Sequence, residues 1–138
     1  AVALAALLPV ALSACREVEE ASPGGYEPAK VEPLRGSVTP RVTLTAEGAR
    51  RTGLQTARVT RRGARTAVSY DALIYAEDGA TYVYTRPEAL SFVRRSVVVD
   101  RIAGDRALLL RGPPAGTEVV TVGAAEVYGT ELDVAGGH

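Results

Sequence analysis

The chain has 138 residues, 46% of them hydrophobic and 23% charged, enough for one folded unit once its ends are set aside. Sixteen basic residues balance sixteen acidic ones, so overall charge points neither to nucleic acid nor to a strongly acidic partner. Six Tyr, one Phe and no Trp leave the core to Val, Leu, Ile and Ala, and one Cys excludes a disulfide framework.

Ala1 to Leu12 is apolar throughout (AVALAALLPVAL). It falls well short of the roughly 20 residues that a membrane-spanning helix needs, and has the character of a secretory signal h-region. Leu12-Ser13-Ala14-Cys15 follows and resembles the bacterial lipobox. That resemblance implies cleavage before Cys15 and a diacylglyceryl group on its thiol. Small side chains at Ser13 and Ala14 suit a narrow peptidase site, and Leu12 suits its apolar pocket. An unpaired Cys in an exported protein needs an explanation, and lipidation supplies one. Residues 1–14 are therefore expected to be a signal peptide, with the mature protein anchored on the extracytoplasmic face of the cell membrane.

Residues 15–37 are expected to be a disordered tether. Ser22-Pro23-Gly24-Gly25, Pro28 and Pro33 interrupt the segment, and five acids lie between 16 and 34. Such a stretch has too little apolar surface to offset its ordering entropy, and its prolines make it a partly extended spacer.

A β-rich domain is expected over 38–130. Val42 and Leu44 suggest a first strand. Thr45 can cap a short helix through Ala46–Thr52, with Glu47 in its first turn and Gly53 as the C′ residue. Leu54–Thr60 reads as a strand, Arg61–Ala64 as a turn and Ala67–Tyr75 as a strand. Glu77-Asp78-Gly79 turns the chain into Thr81–Thr85, where alternation puts Tyr82 and Tyr84 on one face and Val83 on the other. Arg86-Pro87-Glu88 is expected to break that strand. Leu90–Ile102 and Arg106–Arg111 form a hairpin about Ala103-Gly104-Asp105. Glu118–Val122 is the last clear strand, and Ala124–Tyr128 either extends it or forms a helical turn. Residues 131–138 read as a flexible tail. Short strands with regular turn signals argue for a mainly β fold, a small barrel-like or sandwich-like domain with one short helix.

Several of these stretches resemble periplasmic adaptor subunits, the HlyD-type membrane-fusion proteins of RND efflux pumps. Tyr70–Tyr75, Gly79 and Tyr82-Val83-Tyr84 match one family motif in order. Phe92-Val93-Arg94-Arg95 with Val97 and Val99 matches a second, and Leu109–Gly112 with Pro114–Val120 a third. Gly123-Ala124-Ala125-Glu126 resembles the family's closing stretch, and Val42–Thr45 through Gly53–Thr56 its entry segment. Thr117-Glu118 departs from the Asp usual there. The likeness covers about 90 residues. A complete adaptor carries a lipoyl-like domain and a helical hairpin between its entry and final strands, but only seven residues separate Val59 from Ala67. The resemblance therefore implies the membrane-proximal β domain alone. Its implied partner is an RND-type or ABC-type permease, with homo-oligomerisation left open.

Little in the chain suggests catalysis. His138 is the only His and ends a Gly-rich tail, poor ground for a positioned general base. Asp71, Asp100 and Asp105 are single acids near strand ends. Without Met, and with Cys15 acylated, a soft-metal site lacks ligands, so neither cofactor nor metal is expected. Tyr82, Tyr84, Phe92, Arg94 and Arg95 are the candidate partner-binding residues. Residues 35–65 also carry eight Arg against Glu47 alone, which reads either as a solvated face or as a surface for anionic headgroups or an acidic partner. The expected function is a non-catalytic adaptor lipoprotein of an export system. The alternative is a free-standing lipoprotein that binds a small ligand or a cell-wall component.

Overall fold

The computed structural model describes residues 27–136. The signal peptide, the lipobox with Cys15, residues 15–26 of the tether and His138 lie outside them. Ten strands and two helices follow in chain order: β1 (Ala29–Glu32), β2 (Arg41–Leu44), α1 (Ala46–Thr52), β3 (Gln55–Arg58), β4 (Thr60–Arg62), β5 (Arg65–Ser69), β6 (Ile74–Tyr75), β7 (Thr81–Glu88), β8 (Ser91–Ala103), β9 (Arg106–Arg111), β10 (Glu118–Val122) and α2 (Ala124–Ala135). A 3-10 turn over Tyr70–Ala72 separates β5 from β6. The fold is mainly β, as composition and alternation lead one to expect.

The sheet order is β3-β10-β7-β8-β9-β5-β4, with β2 on β8, β1 on β2 and β6 on β7. The two ends of this path, β3 and β4, are halves of one segment joined by Val59. Its amide donates to the Thr117 carbonyl and its carbonyl accepts from the Gly116 amide, both at 2.8 Å. The sheet therefore curls until its two ends meet in consecutive residues. The long strand β8 makes the opposite corner: its first half pairs with β2 and β7, its second half with β9. Register shifts between Val98 and Arg101 mark where it bends from one set of partners to the other.

This curl creates two cores, one on each side of the β7–β8–β10 layer. Inside the curl lie Val59, Val68, Ala72, Leu73, Val83, Val97, Ala107, Leu109 and Val119. Outside it, under α2 and the β1–β2 pair, lie Val42, Leu44, Ile74, Tyr84, Phe92, Val120, Ala124 and Val127. Adjacent residues thus serve different cores: Val83 and Tyr84 on β7, Val119 and Val120 on β10. The expected split of Tyr82 and Tyr84 from Val83 is present, and both faces of the strand are buried.

Helix α1 has the caps its sequence promises. Thr45 Oγ1 accepts from the Gly48 amide at 3.0 Å, and Gly53 ends the helix at φ 59°. Gly48 is needed for a different reason: a Cβ there would lie 2.7 Å from the Pro28 carbonyl oxygen. That contact reflects an N-terminal segment that is not a free tether along its whole length. Ala29–Glu32 pairs with β2 in full register, and Ala29 is buried, so the folded unit starts before Val38. Edge pairing supplies the hydrogen bonds that the segment's own composition cannot.

Two further expectations are corrected. Arg86-Pro87-Glu88 does not end β7; a register shift between Thr85 and Glu88 accommodates the proline, which has no amide to donate. Residues 131–135 are not tail but the end of α2, and Glu131 is buried. Ala124, Val127, Tyr128 and Glu131 occupy the i, i+3, i+4, i+7 stripe that faces the sheet. Phe92, 1% exposed, anchors the outer core. Phe92→Ala is expected to cost about 3–5 kcal/mol of stability. Val38→Ala, at a fully exposed position, is expected to stay within about 0.5 kcal/mol. Urea denaturation of the Cys15→Ala chain reads both, and equal midpoints would remove Phe92 from the core.

Candidate functional site

The five side chains expected at a partner-binding surface all lie on β7 and β8. Tyr84 stands opposite Arg94, Val83 opposite Arg95 and Tyr82 opposite Ser96. Alternation therefore gathers Tyr82, Tyr84, Phe92 and Arg94 on one face, and α2 covers that face. Tyr84 and Phe92 are core residues, with no surface to offer a partner. Their aromatic area stabilises the fold instead. Only Arg95 projects from the other face and is exposed.

Beneath α2, three side chains form a polar cluster in apolar surroundings. The Tyr84 hydroxyl donates to Glu131 Oε2 at 2.5 Å, and Arg94 Nη2 meets Glu131 Oε1 at 2.9 Å. One carboxylate thus serves both groups with separate oxygens. The Arg94 guanidinium also lies 4.5 Å from the Tyr82 ring centre and 5.4 Å from that of Tyr128, within cation–π range. Tyr82 donates in turn to Asp78 Oδ2 at 3.2 Å. Burial, and then the Glu131 hydrogen bond, push the Tyr84 phenol far above its usual range. The cluster fixes α2 to the sheet.

A different surface stands out on the outward face of β4, β5, β9 and β8. Arg62 opposes Arg65, Ala67 opposes Leu108, and Leu108 opposes Arg101. With Val68, Ala107 and Leu109 in the inner core, alternation sends Arg65, Ala67, Arg106, Leu108 and Leu110 to the other face, where Ala67 and Leu108 are buried and Leu110 is exposed. Arg62, Arg101, Arg106 and Leu108 line a groove of about 480 Å³. Asp100 accepts from Arg65 at 3.3 Å, and Asp105 lies 4.0 Å from Arg106. Arg62 and Arg101 have no ion-pair partner among the described residues. Leu110, 49% exposed, extends the face with apolar surface.

The arginine excess of residues 35–65 was visible in the chain, and Arg62 and Arg65 belong to it. Arg101 and Arg106 were not singled out, because only the β5–β9 and β8–β9 pairings bring them alongside. The same stretch is divided by the fold: Arg51 bonds Glu47 within α1, and Arg58 sits 3.8 Å from Glu118.

Among the described residues, no group of three or more His, Cys, Asp or Glu is placed to hold a metal, and no helix is long and apolar enough to cross a membrane. Set against protein families, curated proteins and solved structures, the chain matches none.

Removing Glu131 would strand a buried guanidinium and a buried phenol. Glu131→Ala is expected to cost about 3–5 kcal/mol, and an apolar Arg94→Met/Glu131→Leu pair, which still leaves the Tyr84 hydroxyl unpaired, to recover part of it. Equal loss in single and double variants would show that packing, not charge, holds α2. Tyr84 also sets an alkaline limit. The folded chain holds its proton more tightly than the unfolded chain, so the stabilisation is complete below the usual value of 10.0 and is lost as pH rises above it. Stability should fall by up to about 1.4 kcal/mol per pH unit there. Tyr84→Phe should flatten that fall, leaving the smaller contributions of Tyr75 and Tyr82, whose values are raised too. Unfolding midpoints measured across the alkaline range would register the change; an unaltered limb would absolve Tyr84.

Proposed function

We propose that this chain is an adaptor-like accessory lipoprotein of an export system, with no bond chemistry of its own. On this reading, acyl chains on Cys15 hold it on the outer leaflet of the cytoplasmic membrane. Its β domain then docks on the extracytoplasmic part of an RND-type or ABC-type permease. Positioning or bracing that permease would be its contribution.

The observation that carries this reading is the arginine face of β4-β5-β9-β8. Its Ala67 and Leu108 are buried and belong to the fold, but two of its guanidinium groups, Arg62 and Arg101, have no ion-pair partner among the described residues. Uncompensated charge beside exposed leucine is suited to a surface with acidic and apolar groups, and charge complementarity chiefly sets partner choice and association rate. The adaptor resemblance supports the same reading from the turns. Gly79, Gly116 and Gly123, three of its motif positions, all adopt positive φ, where glycine is the residue that fits without strain. The alternative, a free-standing ligand-binding lipoprotein, draws its support from a cleft beside Arg95 described below.

Affinity purification of the tagged lipoprotein from gently solubilised membranes tests the proposal. One multi-span permease is expected in stoichiometric amount, with recovery strongly reduced by Arg62→Glu/Arg101→Glu and by Cys15→Ala. Recovery of the lipoprotein alone, under conditions that preserve a known transporter complex, would favour the independent binder. A permease retained equally by the charge-reversed chain would sink the docking face while leaving the adaptor reading in place.

A further inference from the structure

On β8 the register that faces the inner core runs Val93, Arg95, Val97. Both valines are buried, and Arg95 stands opposite the fully buried Val83. The alternation that builds this core calls for a third apolar side chain at the position. Arg95 instead reaches out at the mouth of the curled sheet. It has no hydrogen-bond or ion-pair partner among the described residues.

Arg95 lines a cleft of about 490 Å³ with Pro87, Pro113, Pro114, Ser96 and Thr117. That volume lies within the roughly 300–1,000 Å³ of small-molecule sites, which also favour the mouths of barrels. Three prolines offer apolar walls that are already rigid, so little entropy is lost when a ligand covers them. The hydroxyl of Thr117 has no partner within the described residues, whereas that of Thr85 is committed to the Val93 carbonyl at 3.1 Å. Glu118, next to Thr117, does not neutralise Arg95: it is held by Arg86 and lies 3.8 Å from Arg58.

We propose that this cleft binds a small amphiphilic carboxylate, with its anionic head on Arg95 and its hydrocarbon body against the three prolines. A guanidinium presents a planar pair of N–H donors that matches a carboxylate edge. A single free cation beside apolar walls suits a monoanion with a hydrocarbon body better than a small dianion such as phosphate. Arg95 lies on the opposite face of β8 from the Arg94 cluster, so occupancy leaves the α2 lock untouched. The site is also independent of the Arg62–Arg101 face, so it stands or falls apart from the docking proposal.

Isothermal titration of the Cys15→Ala chain with octanoate tests it. One saturable site is expected, with octanol and inorganic phosphate at the same concentrations failing to compete. Arg95→Gln should weaken octanoate binding about tenfold or more, the loss of one charge-assisted hydrogen-bonded contact. Arg95→Lys, which keeps the charge but not the paired donors, should weaken binding less than Arg95→Gln, and Arg62→Gln should leave it unchanged. Thr117→Asp, at a half-buried position lining the cleft on the face of Arg95, puts a carboxylate there and should abolish binding even if Arg95→Gln folds poorly. No octanoate binding, binding by Arg95→Gln at wild-type strength, or equal competition by octanol or phosphate would each overturn the assignment.

Discussion

The centre of the β7–β8–β10 layer, at Val83-Tyr84 and Val119-Val120, is buried on both of its faces, and most other features follow from that constraint. A sheet with one wet face can carry any polar residue on alternate positions. Here Val83 and Val119 fill the inner core while Tyr84 and Val120 fill the outer one. Slipping the register by one residue would exchange the two sets, placing aromatic bulk inside the curl and small aliphatic groups under α2. The register is therefore specified twice. The curl itself depends on β3 and β4 being one segment, so the inner core is closed by a single turn of chain at Val59.

Burying both faces has a cost at the few polar positions within them. The Tyr84 hydroxyl and the Arg94 guanidinium lie where water is excluded, and a buried polar group without a partner is expensive. From α2, Glu131 partners the Tyr84 hydroxyl and Arg94 Nη2, leaving, among their buried side-chain atoms, only Arg94 Nε without a hydrogen bond, which explains why the C-terminal helix belongs to the fold rather than to a tail. A well-packed apolar replacement could stabilise such a site equally well or better. What the charged version adds is selectivity of position: only one helix placement brings Glu131 Oε1 to Arg94 and Oε2 to Tyr84 together.

The fifteen arginines divide into those the fold consumes and those it leaves free. Arg94 is locked under α2, Arg86 and Arg58 converge on Glu118, and Arg65 meets Asp100. Among the described residues Arg35, Arg41, Arg50, Arg61, Arg62, Arg95, Arg101 and Arg111 have no ion-pair partner; of these, Arg62 and Arg101 share one surface and Arg95 lies on another. Exposed ion pairs contribute little to stability, so the paired surface arginines say little about function. Arg62, Arg101 and Arg95 are more informative, because they sit beside leucine in one case and proline in the other.

Local chemistry was legible from the chain alone. The caps of α1 at Thr45 and Gly53, the hairpin at Gly104, strands β9 and β10, and the alternation of Tyr82, Val83 and Tyr84 all rest on neighbouring residues, so propensity and period suffice to find them. The lipobox reading of Leu12–Cys15 lies outside the described residues and rests on the sequence alone. Tertiary structure decided what depends on distant partners. Ala29–Glu32 is a strand because β2 offers it an edge, though its own composition resembles a linker. Residues 131–135 are helical because the sheet receives the Ala124-Val127-Tyr128-Glu131 stripe, whose spacing was present but whose acidic member hid it. Phe92, Tyr84 and Arg94 left the candidate surface because α2 covers their face. Arg101 and Arg106 joined Arg62 because strand pairing joins residues far apart in sequence. The division has one physical reason: caps, turns and alternation are fixed by interactions within a few residues, whereas burial depends on which elements the folded chain lays over one another.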